Sequence, residues 1–262
     1  MPLLTGRVSV HRRQLRGRGR GPVRPALALL DRSWSAWLPV WSWAIEHAEG
    51  TIVVDGGLAA GWEAPWWDAY GRFALRAQVR PEDALEARLR EHDVDPERVR
   101  RHVFTHLHVD HVGAFGSLPA AEVLVSAREW RAARSRTGRL RGLIVPREPR
   151  RLRAFAFDGA GVGPFASAHA VTRDRSVLLL PTPGHSPGHV SVLVRRECDL
   201  VLVAGDAVYS ERQLLEGWID GVSLDGRAAR GSIRRLRELR SREPTIVLPS
   251  HDPQVPERLG PG

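Results

Sequence analysis

The sequence predicts an α/β protein with two similar halves, in which two mixed sheets pack face to face and helices lie on the outside. Two observations predict this class. Short apolar runs rich in Val and Leu alternate with stretches of helical periodicity in both halves of the chain. In addition, histidines and acidic residues follow directly after several of these runs, where functional loops leave a sheet.

The composition is that of a globular protein with a sizeable core. The 262 residues are 42% hydrophobic and 26% charged. We expect an N-terminal arm, partly flexible, over residues 1–33 and a single folded domain over 34–262. No apolar run reaches the roughly 18 residues that a membrane span needs. Cys198 is the only cysteine, which excludes an internal disulfide and predicts a cytoplasmic location.

All basic residues of the chain are arginines. There are 39 of them against 30 acidic residues, and the net charge is +9. The absence of lysine excludes Schiff-base chemistry and a phosphate-loop lysine. The arginines are scattered and often stand near glutamate, as between Glu86 and Glu91, which favours a solvated surface over a nucleic-acid interface. We therefore expect no nucleic-acid partner.

The first elements predicted are an arm and a hairpin. An alternating run at 7–10 precedes an arginine-rich tract over 12–24, which we expect to be a loop or a frayed arm. Residues 39–47 and 51–55 have the pattern of two strands, and the Glu49-Gly50 pair between them is typical of a hairpin.

Seven of the nine tryptophans lie between residues 34 and 67. Such clustering suits core packing or a subunit interface, including that of a homodimer. It equally suits an apolar wall for part of a substrate, with Trp34, Trp37, Trp66 and Trp67 as the candidates. The spacing does not separate these two interpretations.

Helices and strands alternate through the rest of the chain. An amphipathic helix is predicted over 81–92, with acidic residues in its first turn. Residues 134–176 carry little signal, and His169 is expected to be an ordinary histidine. The other predicted elements are a helical turn at 95–97, a helix opening at 113–117, helices over 127–133 and 225–240, and strands over 101–105, 122–125, 177–180, 190–194, 200–204 and 245–248.

Residues 105–111, Thr-His-Leu-His-Val-Asp-His, concentrate three histidines and one aspartate directly after a predicted strand. His106 and His108 are two residues apart, so they point to the same side of an extended backbone. Asp110 and His111 follow at a turn and can face a second point in space. One ion can hardly use all four groups, whereas two neighbouring ions can. Imidazole and carboxylate without thiolate predict zinc or a similar divalent metal.

Three later polar residues also follow predicted strands. His185 comes after the run 178–180, Asp206 after 202–205, and His251 after 246–249. Each alone is a weak signal, because a lone histidine after a strand is more often structural than a ligand. Together with the histidine-rich segment they form an ordered set of candidate ligands.

This ordered set resembles the metallo-β-lactamase superfamily. Its motifs are a strand-end Asp, then His-x-His-x-Asp-His, then a later His, Asp and His, and every position is filled over roughly residues 38–252. The resemblance implies an αββα sandwich that forms a catalytic domain with two divalent metal ions. Asp55 matches the aspartate that orients ligand histidines without binding metal. The resemblance assigns His106, His108 and His185 to one ion, Asp110, His111 and His251 to the other, and Asp206 to both.

Within the superfamily, the sequence is similar to the N-acyl-homoserine lactonases, which are quorum-quenching enzymes. The similarity is carried by Asp206-Ala-Val-Tyr209, by residues 232–237 and by Ser250-His251-Asp252. It implies a small substrate with an apolar acyl tail, two ions expected to be Zn²⁺, and attack on the lactone by a metal-bridging hydroxide. Tyr209 would support the oxyanion or merely pack beside the site. Asp110 would protonate the leaving oxygen or serve only as a ligand.

Other activities of the superfamily stay open as alternatives. A thioesterase of the glyoxalase type and a phosphotriesterase share the metal ligands, although no basic C-terminal helical region for glutathione is evident. A nuclease would suit the charge, yet no arm with interleaved aromatic residues is found. A β-lactamase commonly uses Lys, Asn or a cysteine ligand, and Cys198 lies eight residues before Asp206 in a chain without Lys or Asn. A non-catalytic module would need broken ligand positions, and none is broken.

Overall fold

The computed structural model describes residues 1–21, 23–59, 74–139, 142–144 and 148–260. The chain forms two compact units. The first comprises Met1–Val10 and Ser35–Phe155, and the second comprises His11–Trp34 and Ala156–Gly262. The predicted division into an arm over 1–33 and a domain over 34–262 stays a prediction.

Among the described residues, each unit contains one sheet and several helices. The strands are β1 Pro2–Val10, β2 Leu38–Ile45, β3 Ile52–Val54, β4 Leu75–Gln78, β5 Arg101–Val103, β6 Glu122–Ser126, β7 Leu152–Phe155, β8 Gly159–Val162, β9 Phe165–Ala170, β10 Val177–Pro181, β11 Val190–Arg195, β12 Leu200–Gly205 and β13 Thr245–Pro249. The helices are α1 Arg12–Leu15, α2 Val23–Leu29, α3 Leu85–Glu91, α4 Ala127–Arg134, α5 Arg136–Arg139, α6 Glu211–Glu216, α7 Gly226–Arg242 and α8 Val255–Leu259, with 3-10 turns at Pro81–Asp83 and Pro96–Arg98.

In the described part of the first unit, the sheet has seven strands in the order β4-β1-β2-β3-β5-β6-β7. Strands β2 and β3 form the predicted hairpin, and Gly50 makes its turn with a φ of 103° that favours glycine. Strands β3, β5 and β6 are parallel neighbours, with Val54 opposite Val103. The chain therefore leaves β3 and β5 at the same edge of the sheet, where Asp55 and the histidine-rich segment begin.

The sheet of the second unit has six strands in the order β13-β12-β11-β10-β9-β8. Only β12 and β13 among them are parallel, with Gly205 opposite Pro249, so Asp206 and His251 follow strands that end side by side. Helix α7 begins after Asp225, whose carboxylate caps two backbone N–H groups. Its apolar face, including Leu236, packs with Leu202 in the core of this unit.

Most predicted elements are present, and three local predictions are wrong. The predicted helix over 81–92 is interrupted at Ala84, because a 3-10 turn ends there before α3 begins. Residues 113–117 form turns rather than the start of a helix, and the arginine-rich tract 12–24 contains α1 and the start of α2. Within the described part of the chain, no helix has the length and apolarity to cross a membrane.

Candidate metal centre

The histidine-rich segment places three imidazoles close together in the first unit. The ring of His106 is perpendicular to that of His108, with centroids 4.7 Å apart, and lies 4.1 Å from the ring of His111. A nitrogen of His106 lies within 4.8 Å of a nitrogen of each of these histidines. Asp110 Oδ1 is 3.9 Å from His111 Nε2. His106 and His111 are fully buried, and such a buried set of donors suits a divalent cation.

Asp55 orients two of these histidines. Its Oδ2 accepts a hydrogen bond from His111 Nδ1 at 2.9 Å, and its Oδ1 accepts from the backbone N–H of Thr105 at 2.8 Å. The Thr105 hydroxyl also donates to Asp55, so its oxygen accepts from His106 Nδ1 at 3.1 Å. Both rings are therefore protonated at Nδ1, and Nε2 is left as the nitrogen with the lone pair. This tautomer leaves Nε2 as the nitrogen that can bind a metal ion.

Two further buried residues support the segment, and sequence reasoning assigned them no role. Glu129 on α4 accepts the backbone N–H of Leu107, which lies between two of the candidate ligands, at 3.1 Å. His102 donates from Nε2 to the backbone oxygen of Asp55 at 3.1 Å. Burial lowers the pKa of His102 to about 4, against the weaker opposing effect of this hydrogen bond. His102 lies in strand β5 directly after Arg100 and Arg101, where the sequence predicted only a strand.

In the second unit, Asp206 lies between two histidines. His185 Nε2 is 3.4 Å from Asp206 Oδ2, and His251 Nε2 is 3.3 Å from Asp206 Oδ1. These separations exceed the roughly 2.7–2.9 Å of a charge-assisted hydrogen bond. Each carboxylate oxygen thus lies near a different imidazole. This arrangement suits a carboxylate that gives one oxygen to each of two cations.

The loop of His185 is held by close backbone packing. Gly184 has a φ of 143°, and a Cβ at this position would lie 2.3 Å from the backbone nitrogen of Ala229. The backbone oxygens of Gly184 and His185 accept N–H groups of Asp225 and Leu224 at 3.0 and 3.2 Å. Glycine is therefore required for the loop to approach helix α7 so closely.

Tyr209 lies beside the two histidines that flank Asp206. Its ring centroid is 6.0 Å from that of His185 and 5.6 Å from that of His251. Its backbone N–H donates to the side chain of Gln213 at 2.7 Å, which holds the residue at the start of α6.

His189 is a residue of the site that sequence reasoning missed. Its Nε2 accepts the backbone N–H of Asp206 at 3.0 Å, although His189 lies 17 residues earlier in the chain. The only sequence signal was its position four residues after His185 in the Pro183–His189 loop.

Two of the four tryptophans predicted to line a substrate pocket lie within the described residues. Trp34 packs its ring 4.2 Å from that of His11 in the second unit, and Trp37 is 42% exposed in the first. Trp66 and Trp67 lie outside the described residues. A role of these four residues in substrate binding stays a prediction.

The two donor sets and the sheets that present them define a class of protein, the metal-dependent hydrolases. A sequence profile of the Metallo-beta-lactamase superfamily matches residues 35–251, and the chain belongs to this superfamily. The predicted fold class, the αββα metallo-β-lactamase fold, is confirmed, and so is the prediction that the chain is a metal-dependent hydrolase.

Two relatives and one solved structure are named for the same activity. An N-acyl homoserine lactonase of Bacillus cereus is 31% identical over 219 residues, which are 82% of each chain. The lactonase AttM of Azorhizobium caulinodans is 29% identical over 226 residues, or 83% of each chain. A solved N-acyl homoserine lactone hydrolase, with N-hexanoyl-L-homoserine bound at its catalytic metal center, superposes with a TM-score of 0.78 at 25% identity, covering 98% of this chain and 94% of that one.

Proposed function

We propose that this chain opens the lactone ring of N-acyl-homoserine lactones by hydrolysis at a dinuclear metal centre. The substrate class is supported by relatives named as lactonases of these compounds, which match the chain over four-fifths of its length. The observation that carries the proposal is the position of Tyr209, whose ring lies beside both His185 and His251. A phenol there can donate to the oxygen of a lactone carbonyl.

The proposed ligands are the seven residues that the family motif predicts. The tautomers set by Asp55 and Thr105 support the assignment, since they present Nε2 as the binding nitrogen. Zn²⁺ is the proposed ion, because imidazole and carboxylate ligands suit it. When bound, two such ions would lower the pKa of a shared water and polarise the carbonyl. We assign His106, His108 and His185 to one ion, Asp110, His111 and His251 to the other, and Asp206 to both.

Tyr209 and Asp110 are the proposed catalytic side chains. As the carbonyl carbon becomes tetrahedral, the Tyr209 hydroxyl donates a hydrogen bond to the developing oxyanion, a contribution of about 3 kcal/mol for one well-placed donor. Asp110 accepts a proton from the attacking water and returns it to the ring oxygen as the ester C–O bond breaks. The products are a carboxylate and an alcohol on one molecule, and one proton is released to solvent at neutral pH.

The apolar tail of the substrate is proposed to contact the tryptophan-rich segment. We expect hydrolysis rates to rise with acyl length if this segment forms the tail pocket. A flat dependence on acyl length would remove the pocket from the proposal and leave core packing or a homodimer interface as the role of the tryptophans. The predicted cytoplasmic location stays a prediction.

The proposal is tested by proton release from a medium- to long-chain N-acyl-homoserine lactone, with Zn²⁺-loaded protein and with Asp206→Ala as the blank. Ring opening that is lost in Asp206→Ala is the expected result, and Tyr209→Phe should then lower kcat by about 100-fold. If the wild type binds two ions but opens no lactone, the substrate is wrong. Thioesters, phosphotriesters and RNA are then the substrates to compare.

A further inference from the structure

A chain of buried polar side chains runs behind Asp206 in the second unit. His189, Thr182 and Ser191 are each at most 1% exposed. Thr182 Oγ1 lies 2.9 Å from His189 Nδ1 and 2.9 Å from Ser191 Oγ. The Ser191 hydroxyl donates to the backbone oxygen of Ala204 at 2.9 Å. Burying three polar side chains that contact one another costs free energy unless every donor meets an acceptor.

The direction of each hydrogen bond follows from the two backbone groups at the ends. The backbone N–H of Asp206 donates to His189 Nε2, so this nitrogen carries no proton and His189 is protonated at Nδ1. Its Nδ1–H therefore donates to Thr182. Because the Ser191 proton is used on Ala204, the Thr182 hydroxyl must donate to Ser191. The hydrogen bonds therefore all donate in one direction, from His189 through Thr182 and Ser191 to Ala204.

The two ends of this hydrogen-bonded network bind the same short stretch of backbone. Ala204 and Asp206 flank Gly205, which has a φ of 58° at the end of strand β12. One end of the polar chain binds the carbonyl before Gly205, and the other binds the N–H after it. Hydrogen bonds on both sides of Gly205 thus fix the turn that orients the Asp206 side chain.

We infer that His189, Thr182 and Ser191 act as a positioning relay for Asp206. The inference rests on the proposed function, since it concerns the carboxylate assigned to both ions. The relay holds the backbone of Asp206 so that its two oxygens stay 3.4 and 3.3 Å from the nitrogens of His185 and His251. Loss of a group that orients a metal ligand typically costs about 10- to 100-fold in metal affinity.

Thr182→Val is the decisive variant, because it removes the central hydroxyl, keeps nearly the same shape and changes no proposed ligand. Thr182→Ser keeps the hydroxyl and serves as the conservative variant. Thr172→Val is the matched control, since Thr172 is a threonine of the same unit, 2% exposed, whose hydroxyl accepts from the backbone N–H of Val177 at 3.1 Å. For each protein, Zn²⁺ affinity is measured by competition with a chelator, and the Tm of the metal-free form is measured alongside.

We expect Thr182→Val to bind Zn²⁺ about 10- to 100-fold more weakly than Thr172→Val, with Thr182→Ser close to the wild type. A merely structural role would lower the metal-free Tm of both valine variants and leave their Zn²⁺ affinities equal, which would overturn the inference. If Thr182→Val does not fold, Ser191→Ala replaces it, with the same expectation of weakened binding. A wild type that binds no Zn²⁺ would instead refute the proposed function itself, and the relay with it.

Discussion

Replacement of Asp55 by asparagine tests how the first donor set is oriented. Asp55 is 1% exposed, and its two oxygens accept from different donors, the backbone N–H of Thr105 and Nδ1 of His111. In Asp55→Asn, one oxygen becomes an NH₂ group in either orientation of the amide. That group faces either the backbone N–H of Thr105 or the Nδ1–H of His111. One donor then points at another.

Each orientation of the amide has an effect whose magnitude can be estimated. A buried donor facing a donor costs about 1–3 kcal/mol of stability. If the amide faces His111, this imidazole must move its proton to Nε2 to accept the new hydrogen bond, and the nitrogen proposed to bind metal is then blocked. We expect Zn²⁺ affinity to fall about 10- to 100-fold, or about 1.4–2.7 kcal/mol.

The measurements are urea unfolding of the metal-free protein and Zn²⁺ affinity by chelator competition. Asp93→Asn is the matched control, because Asp93 has the same φ of 59° as Asp55 but is exposed. This control separates the loss of the carboxylate from any effect of asparagine at a positive φ. If Asp55→Asn keeps the Zn²⁺ affinity of Asp93→Asn, the proposed orientation of His111 is wrong.

Three further predictions concern pH, packing and metal removal. His102 has a pKa of about 4 in the folded state against 6.5 in the unfolded state, so between these pH values only the unfolded state takes up the proton. The free energy of unfolding therefore falls as the pH falls. We expect a loss of about 3 kcal/mol between pH 7 and 4, measured by urea unfolding, and no such loss in His102→Gln. Gly184→Ala should weaken Zn²⁺ binding and destabilise the protein by more than about 1 kcal/mol, because its Cβ would meet the Ala229 backbone. Gly231→Ala, whose Cβ meets nothing nearer than 3.6 Å, should do neither. Removal of metal by a chelator should lower the Tm, since ions that bind only the folded state stabilise it; an unchanged Tm would contradict the proposed ligand sets.

The candidate ligands could be predicted from the sequence because each follows an apolar run that is legible as a strand. His185, Asp206 and His251 leave β10, β12 and β13 within a few residues of the strand ends. At these positions the end of a predicted strand in the sequence is also the edge of the sheet where the candidate ligand lies. Asp55 was found in the same way, after β3.

The supporting residues could not be predicted in this manner. His189, Thr182 and Ser191 are polar positions in or beside strands, and their partners are set by the register of β10 with β11 and of β11 with β12. Register is a property of the paired strands rather than of one segment. The helices in the tract 12–24 were missed for a related reason, because contacts such as that of the Gly17 N–H with the Ile219 oxygen join distant parts of the chain.

The parallel pairing of β3 with β5 and of β12 with β13 has a consequence for folding kinetics. Each pair brings together strands that are separated by a long crossover, 46 residues in one case and 39 in the other. Such pairings form slowly, because a long loop must close before any contact stabilises it. Asp55 reaches His111 only when β3 and β5 have paired, and Asp206 reaches His251 only when β12 and β13 have paired. Metal uptake should therefore follow the slow phase of refolding rather than the initial collapse. A chain stalled with only its local hairpins would remain in the metal-free state, and metal capture would mark the molecules that have completed their long-range pairing.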